Sequence, residues 1–306
     1  MLRYSLIIPH FNDSDRLERL LRTVPVGRLD LEVIVVDDCS PDQSVLDALK
    51  ARWARVRWLS TRDNAGAGAA RNVGLAHAQG EYLVFADADD EFIAGAFDVF
   101  DQHVGPDDDL VYFLAQAVQE VDGSRSNRAD RMNALCTAYL EEPNESTLKR
   151  LKLGHGNPVA KVYSRRFIEK RGVRFEETRV SNDVAFNVLA AVQAEHVRAV
   201  PVAVYRVFRR AKSMTADPGP VAFLERVRGQ ARLAGALKSL GIEELPSATG
   251  WMLVSLAYGP LTAFRTWRIC LRSELRTDIS RIFQASRWRR FMQNRSADQA
   301  EKKSAD

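Results

Sequence analysis

Two carboxylates flank one small residue in Asp87-Ala88-Asp89, directly after the apolar run Tyr82-Leu83-Val84-Phe85-Ala86. Oxygen ligands of this kind suit Mg²⁺ or Mn²⁺, hard cations that can bridge to a diphosphate. An Asp-x-Asp alone is a weak signal, because acidic loops are common and mostly solvated. Its weight here comes from the strand-like run before it and from small residues upstream, Asn64-Ala65-Gly66-Ala67-Gly68-Ala69-Ala70-Arg71-Asn72-Val73-Gly74. Small residues let a helix pack closely or let backbone approach a ligand. Arg71 offers a guanidinium fork for phosphate or a base carbonyl. The plainer alternative is a tightly packed helix with a surface arginine. Gly66-Ala67-Gly68 hints at a dinucleotide fingerprint, but position 71 is arginine where the third glycine belongs. The run also does not follow the first strand, which sets a dehydrogenase aside.

The surrounding pattern shows what positions these residues. Tyr4–Ile8, stopped by Pro9, Leu31–Val36, Val56–Leu59 and Glu81–Ala86 read as buried strands. Between them lie helical signals: Leu17, Leu20, Leu21 and Val24 after Asp13-Ser14-Asp15, then Leu46 and Leu49 after Ser40-Pro41-Asp42, then Ala65–Ala78. This alternation predicts an α/β fold with a mostly parallel sheet. Right-handed crossovers then line the strand C-termini along one edge, where such sheets bind ligands. Asn12 and Asp13, Asp37 and Asp38, and Asp87 and Asp89 all follow such ends. One aspartate after a strand is usually a cap or turn former; three clusters at corresponding ends are harder to dismiss. Residues 110–216 read as mixed, with strands near Leu110–Gln119 and Val200–Phe208, a strand or turn edge at Val159–Tyr163, and helices near Glu145–Lys152, Arg165–Lys170 and Val184–Ala194. Asp217-Pro218-Gly219-Pro220 marks a boundary, and the pattern is helical from Val221 to about Phe291.

Four motifs in order resemble the family 2 glycosyltransferases of GT-A fold, of the bacterial capsule and lipopolysaccharide type. They are Ser5-Leu-Ile-Ile-Pro9-His-Phe-Asn12, Glu32-Val-Ile-Val-Val-Asp37-Asp38-Cys-Ser40-Pro-Asp42, Asn64-x-Gly66 with Ala70-Arg71-Asn72-x-Gly74, and Gly80-Glu81-Tyr82-x-x-Phe85-x-Asp87-x-Asp89-Asp90. The resemblance covers residues 1–95 closely and continues more loosely to about 216. It implies a Rossmann-like catalytic domain over 1–216, with a nucleotide-sugar half (1–110) and an acceptor half (111–216), followed by a helical, basic region over 217–306. It further implies that Asp38 recognises the donor base, typically uracil, beside Pro9 and Asn12. Arg71 would line the nucleotide pocket, Asp87 would lie near the ribose and the metal, and Asp89 would hold the Mn²⁺ or Mg²⁺ that bridges the diphosphate. The partners implied are a nucleotide-sugar donor and a carbohydrate or lipid-linked sugar acceptor.

Inverting members need a general base. The resemblance places it at Asp183, in Ser181-Asn182-Asp183-Val184-Ala185-Phe186, downstream of Gly156-Asn157-Pro158-Val-Ala-Lys161-Val-Tyr163. Many members carry Glu before this Asp; here Asn182 stands there and a supporting charge is lost. A base must come within about 3 Å of the acceptor hydroxyl. A helix cap is the competing reading of Asp183. Some members also supply a histidine three residues before a serine as a metal ligand. Arg210, ahead of Ser213, takes that place; a guanidinium cannot ligate metal but can neutralise a departing diphosphate. His155, between two glycines, is an acceptor-loop candidate.

Composition narrows the setting. The 306 residues carry a net charge of +4, yet residues 261–306 hold eleven basic and five acidic residues, so the body before them is slightly acidic. That asymmetry argues against a nucleic-acid-binding body and for a basic tail. In the tail, Leu261, Phe264, Trp267, Leu271, Leu275, Ile279 and Ile282 recur at helical spacing, edged by Arg265, Arg268, Arg272 and Arg276. Such a stripe over 261–295 suits an anionic membrane surface, or a helix packed on the catalytic domain or a second copy. Three scattered cysteines fit a reducing cytoplasm. The longest apolar stretch, Trp251–Phe264, is broken by Gly259-Pro260 and too short to span a bilayer, and the first apolar run is too short for a signal peptide. The expected location is cytoplasmic, or peripheral on the inner face of the cell membrane. Two other classes fit less fully: a non-catalytic sugar-nucleotide-binding scaffold of the same fold, left open by Asn182 and Arg210, and a nucleotidyltransferase, to which the Asp183 region lends nothing.

Overall fold

Side chains of period two organise the sheet. In the first strand, β1 (Tyr4–His10), Leu6 and Ile8 point to one face and Ile7 to the other, and all three are fully buried. Helices must therefore cover both faces. The computed structural model describes residues 1–210 and 219–277. The other strands are β2 (Leu31–Asp37), β3 (Arg57–Ser60), β4 (Tyr82–Phe85), β5 (Glu91–Phe92), β6 (Leu110–Gln119), β7 (Lys161–Ser164) and β8 (Val197–Arg209). The helices are α1 (Ser14–Thr23), α2 (Gln43–Arg52), α3 (Ala67–His77), α4 (Ala96–His103), α5 (Asp130–Glu141), α6 (Glu145–Gly154), α7 (Arg165–Arg171), α8 (Val184–Gln193), α9 (Gly219–Ser239), α10 (Thr249–Ser255) and α11 (Pro260–Leu271).

The eight strands form one sheet in the order β3-β2-β1-β4-β7-β6-β8-β5. β1, β2, β3 and β4 pair in parallel, as the alternating pattern requires. Past β4 the sheet becomes mixed: β7 runs antiparallel to β4 and β6, β6 parallel to β8, and β5 antiparallel to β8. The expectation of a mostly parallel sheet thus describes the first half better than the second. The α1 leucines and the α4 phenylalanines pack on one face, and α3, α6, α7 and α8 on the other.

Two details of register place the site. His10 at the end of β1 lies opposite Asp37 at the end of β2, so the loops after them are neighbours. The two-residue β5, directly after Asp90, pairs Glu91 with Arg206 and Phe92 with Tyr205. That pairing brings the end of β8 against the acidic loop.

The chain divides into two compact units, Met1–Ala211 and Lys212–Asp306. In the second, Phe223, Val227, Ala234, Ala248, Cys270 and Leu275 form a small core of their own. The helical region expected here is present as separate helices: α9 ends at Ser239, and Gly259, at φ +89°, with Pro260 at the first helical position, separates α10 from α11. The apolar stripe is also turned the other way. α11 buries Thr262, Ala263, Thr266 and Cys270, and leaves Leu261 61%, Phe264 66% and Leu271 69% exposed. Leu275, after the helix, is buried. Ile279, Ile282 and Ser213 lie outside the described residues. Among those described, no helix is long and apolar enough to cross a membrane.

Candidate active site

The loops after β1 and β2 are tied together first. Asp37 accepts from the Ser40 hydroxyl (2.5 Å) and backbone (3.0 Å), and lies 2.9 Å from His10 Nδ1. The Asp13 amide donates to His10 Nε2 at 3.3 Å, so Nε2 is the acceptor and Nδ1 carries the proton toward Asp37. Ser40 Oγ in turn accepts from the Asn12 amide at 2.8 Å. Asn12, exposed and at φ +50°, is thereby fixed just beyond Pro9. These bonds hold Asp37 below the usual carboxylate range against the opposing effect of burial. None of this pairing was expected from sequence, although His10 and Ser40 lie inside the quoted motifs.

Asp38 is buried and faces the next loop. Its Oδ1 accepts from the Thr61 hydroxyl (2.8 Å) and Ala65 amide (3.1 Å), and its Oδ2 from the Gly66 amide (2.7 Å). Asp38 thus anchors the entry to α3, a bond set that its expected contact with a base does not require. Gly66 and Gly68 then explain the small residues. A Cβ on Gly68 would lie 2.0 Å from the Glu176 carbonyl oxygen, and one on Gly66 2.9 Å from that of Thr178. The small residues let the segment before α8 close on α3, so close packing is the function they show.

That approach brings Arg71 to the acids. Arg71 is buried on α3; its Nη1 donates to Asn182 Oδ1 at 3.0 Å and its Nη2 to Asp87 Oδ1 at 2.5 Å. The surface-arginine reading is therefore excluded. Asn182, in place of the expected glutamate, gives Arg71 a neutral acceptor, and the guanidinium keeps its charge for Asp87 and for Asp183 beyond it.

Asp183 heads α8 without capping it: its side chain makes no capping hydrogen bond. Burial is the main cause that raises its carboxyl above the ordinary range. The Arg71 charge opposes this, Asp87 adds to it, and Lys161 opposes it more weakly. A half-buried carboxylate, uncommitted at its side chain and facing the Asp87 loop, has the environment of a general base.

Asp87, Asp89 and Asp90 offer carboxylate oxygens within 4.8 Å of one another. Their environments differ. Asp90 is buried, accepts from the Phe208 amide at 2.9 Å, and is held well above the usual range chiefly by burial, then by the Asp87 and Asp89 charges. Asp89 is raised by burial and by Asp87, and is lowered by Arg210. Asp87 is held from its backbone, its amide donating to the Tyr205 hydroxyl at 2.9 Å. Arg210 Nη2 lies 2.8 Å from Asp89 Oδ2 and 2.6 Å from Asp13 Oδ2. Arg210 therefore sits on a proposed metal ligand. An all-oxygen set of this kind could hold a hard divalent cation, Asp87 and Asp89 being its half-exposed members and Asp90 its buried one.

The structure thus joins Asp87, Asp89, Arg71, Arg210 and Asp183 at one edge, with Asp38 and Asn12 in the adjoining loops; Pro9, expected in the loop with Asn12, is buried within β1, where it pairs with Val36. His155 lies elsewhere: it is fully buried, its ring against Tyr112 at 5.2 Å, and it is no surface-loop residue. Sequence reasoning missed His10 and Tyr205, each visible only through a partner far along the chain.

A model of glycosyl transferase family 2 matches residues 5–172. The chain is 26% identical over 208 residues to the Staphylococcus aureus poly(ribitol-phosphate) beta-N-acetylglucosaminyltransferase TarS, which covers 64% of this chain and 34% of that one. It is 26% identical over 215 residues to the Campylobacter jejuni GalNAc(5)-diNAcBac-PP-undecaprenol beta-1,3-glucosyltransferase, covering 69% and 66%. The chain therefore spans about a third of the staphylococcal relative. Among solved structures, S. aureus TarS in complex with UDP-GlcNAc superposes with a TM-score of 0.57 at 23% identity, over 76% of this chain and 66% of that one. The Pyrobaculum calidifontis mannosyltransferase PcManGT with GDP-Man and Mn²⁺ gives 0.53 at 14% identity, over 97% and 83%. These structural likenesses are likenesses of fold.

Proposed function

The chain belongs to glycosyl transferase family 2, and from that premise we propose that it transfers a sugar, with inversion, from a nucleotide-diphosphate sugar to an acceptor hydroxyl. The observation that carries this reading is the meeting of Asp87, Asp89, Arg71, Arg210 and Asp183 at the C-terminal edge of the parallel strands. The acceptor oxygen attacks the anomeric carbon while its proton passes to Asp183. The bond from that carbon to the phosphate oxygen breaks, and the nucleotide diphosphate leaves with the electron pair. Arg71 and Arg210 supply positive charge to the departing diphosphate. Mn²⁺ or Mg²⁺ held by Asp89 and Asp87 would supply Lewis-acid stabilisation of the same group. Pro9 and Asn12 flank the base, and Asp38 both fixes the loop before α3 and offers the base an acceptor.

A uridine donor is supported by the UDP-GlcNAc in the TarS complex. Assembly of a surface polymer or glycolipid is supported by the acceptors in the relatives' names. We place catalysis in residues 1–216 and surface attachment in 217–306. The outward apolar face of α11, with exposed Arg265, Arg268 and Arg272, suits an anionic lipid surface on the cytoplasmic side. The test is a panel of nucleotide sugars and acceptors with Mn²⁺, read by nucleotide diphosphate release and by NMR of the product's anomeric centre. Transfer with inversion is expected. Retention would overturn the mechanism, and metal-dependent UDP binding with no turnover on any acceptor would favour a non-catalytic scaffold.

A further inference from the structure

Beneath the first turn of α8 lies a polar cluster that the chemistry above leaves unused. Lys161 on β7 is fully buried. Its Nζ donates to the His155 carbonyl at 2.9 Å and to Asn187 Oδ1 at 3.0 Å. Tyr163, two residues along and on the same face of the strand, donates its hydroxyl to that same Oδ1 at 2.5 Å. Both lone pairs of the amide oxygen are then engaged. At its other end, Asn187 Nδ2 donates to the Asp183 carbonyl at 2.8 Å, and the Asn187 amide donates to that carbonyl at 3.0 Å. One side chain therefore couples β7 to the residue that heads α8.

The cluster is costly for a merely structural device. An ammonium is buried with the Tyr112 ring 4.8 Å away, and the carboxylate whose charge it feels is Asp183. Apolar residues of the same size would fill the space without desolvating a charge.

We propose that Lys161, Tyr163 and Asn187 form a clamp that positions the Asp183 carboxylate against the acceptor hydroxyl. Lys161 and Tyr163 are positioning residues, acting through Asn187 and touching no substrate. The clamp rests on the reading of Asp183 as the base. Its worth follows from the tolerance of proton transfer: a base displaced by about 1 Å loses on the order of 100-fold in rate. The ammonium also favours the ionised form of Asp183, which faces Arg71 on α3 and Asp87 after β4 as well. Around Lys161 itself stand Cys136 on α5, Tyr112 on β6, Tyr163 on β7 and His155 after α6. Burial lowers the Lys161 ammonium to about 7. The neutral amine still carries two N–H groups, so deprotonation removes the charge and spares the clamp.

The test uses the full chain at saturating donor and acceptor. Tyr163→Phe deletes one hydroxyl and is the variant least disturbing to the fold. It should lower kcat about tenfold, and Asn187→Leu about 100-fold, with donor KM and UDP affinity by calorimetry unchanged. The double variant should be no slower than Asn187→Leu alone, because both act through one amide. Lys161→Met should shift the acid limb of the kcat–pH profile to higher pH. Unchanged kcat in both single variants, losses that multiply in the double variant, or a parallel loss of UDP affinity would overturn the clamp. Asp183→Asn, assayed alongside, separates the two readings. Full turnover in that variant sinks the base assignment, whereas its inactivity beside fully active clamp variants sinks the clamp alone.

Discussion

Asp87 and Asp89 each already have an arginine partner: Arg71 for the first and Arg210 for the second. The four charges cancel. A divalent cation alone brings uncompensated positive charge to this site, and a diphosphate alone brings negative charge; together they arrive neutral. Metal and nucleotide should therefore bind cooperatively. Arg210→Met should bind Mn²⁺ alone about tenfold more tightly by calorimetry and show weaker metal–UDP coupling; unchanged Mn²⁺ affinity would refute the competition. The raised carboxyl of Asp183 gives a second expectation. The base works ionised, so the acid limb of kcat should lie above the ordinary carboxylate range, and a limb at or below about pH 4 would contradict it. Lys161 gives a third, with its sign fixed by linkage. Its folded value is about 7, below the usual lysine range, so between about pH 7 and pH 10 the unfolded chain holds a proton that the folded chain has lost. Wild-type stability should rise with pH across that window relative to Lys161→Met, and should show no such relative change below it. Denaturant unfolding of both proteins at several pH values reads this out.

At the scale of elements, the parallel half was legible and the other half less so, for physical reasons. β1, β2 and β4 are buried on both faces, so each reads as a largely apolar run, although β1 continues through Pro9, where the sequence suggested a stop, to His10. α4 and α5 were not anticipated: the first has eight residues, and the second buries only Met132 and Cys136. β5, with two residues, carries no periodic signal at all, yet its pairing with β8 explains how Arg210 meets Asp89 across 121 positions of sequence. The His10–Asp37 contact needs the register of β1 on β2, which no local pattern encodes. The small residues before Arg71 were legible as small, but whether they served packing or a ligand was settled only by the segment at Glu176–Asn182. Gly68→Ala should accordingly cost about 1–3 kcal/mol in unfolding free energy and lower kcat by displacing that segment. Gly235→Ala, in an open stretch of α9, should be neutral or stabilising.

For the whole molecule, the acidic cluster and the outward apolar helix belong to different units of the chain. The acids and their arginines belong to Met1–Ala211, and α11 with its outward leucines, Phe264 and arginines to Lys212–Asp306. Phe264→Ser with Leu271→Ser should reduce sedimentation with anionic vesicles and leave transfer to a water-soluble acceptor unchanged; undiminished sedimentation would remove the lipid assignment. The central claim concerns the edge of the sheet. It is tested most directly by measuring, on one preparation of Asp183→Asn, the transfer rate and the affinity for UDP with Mn²⁺. The account predicts a loss of kcat on the order of 1,000-fold with UDP affinity unchanged. Transfer at the wild-type rate, or loss of UDP binding in step with activity, would contradict it.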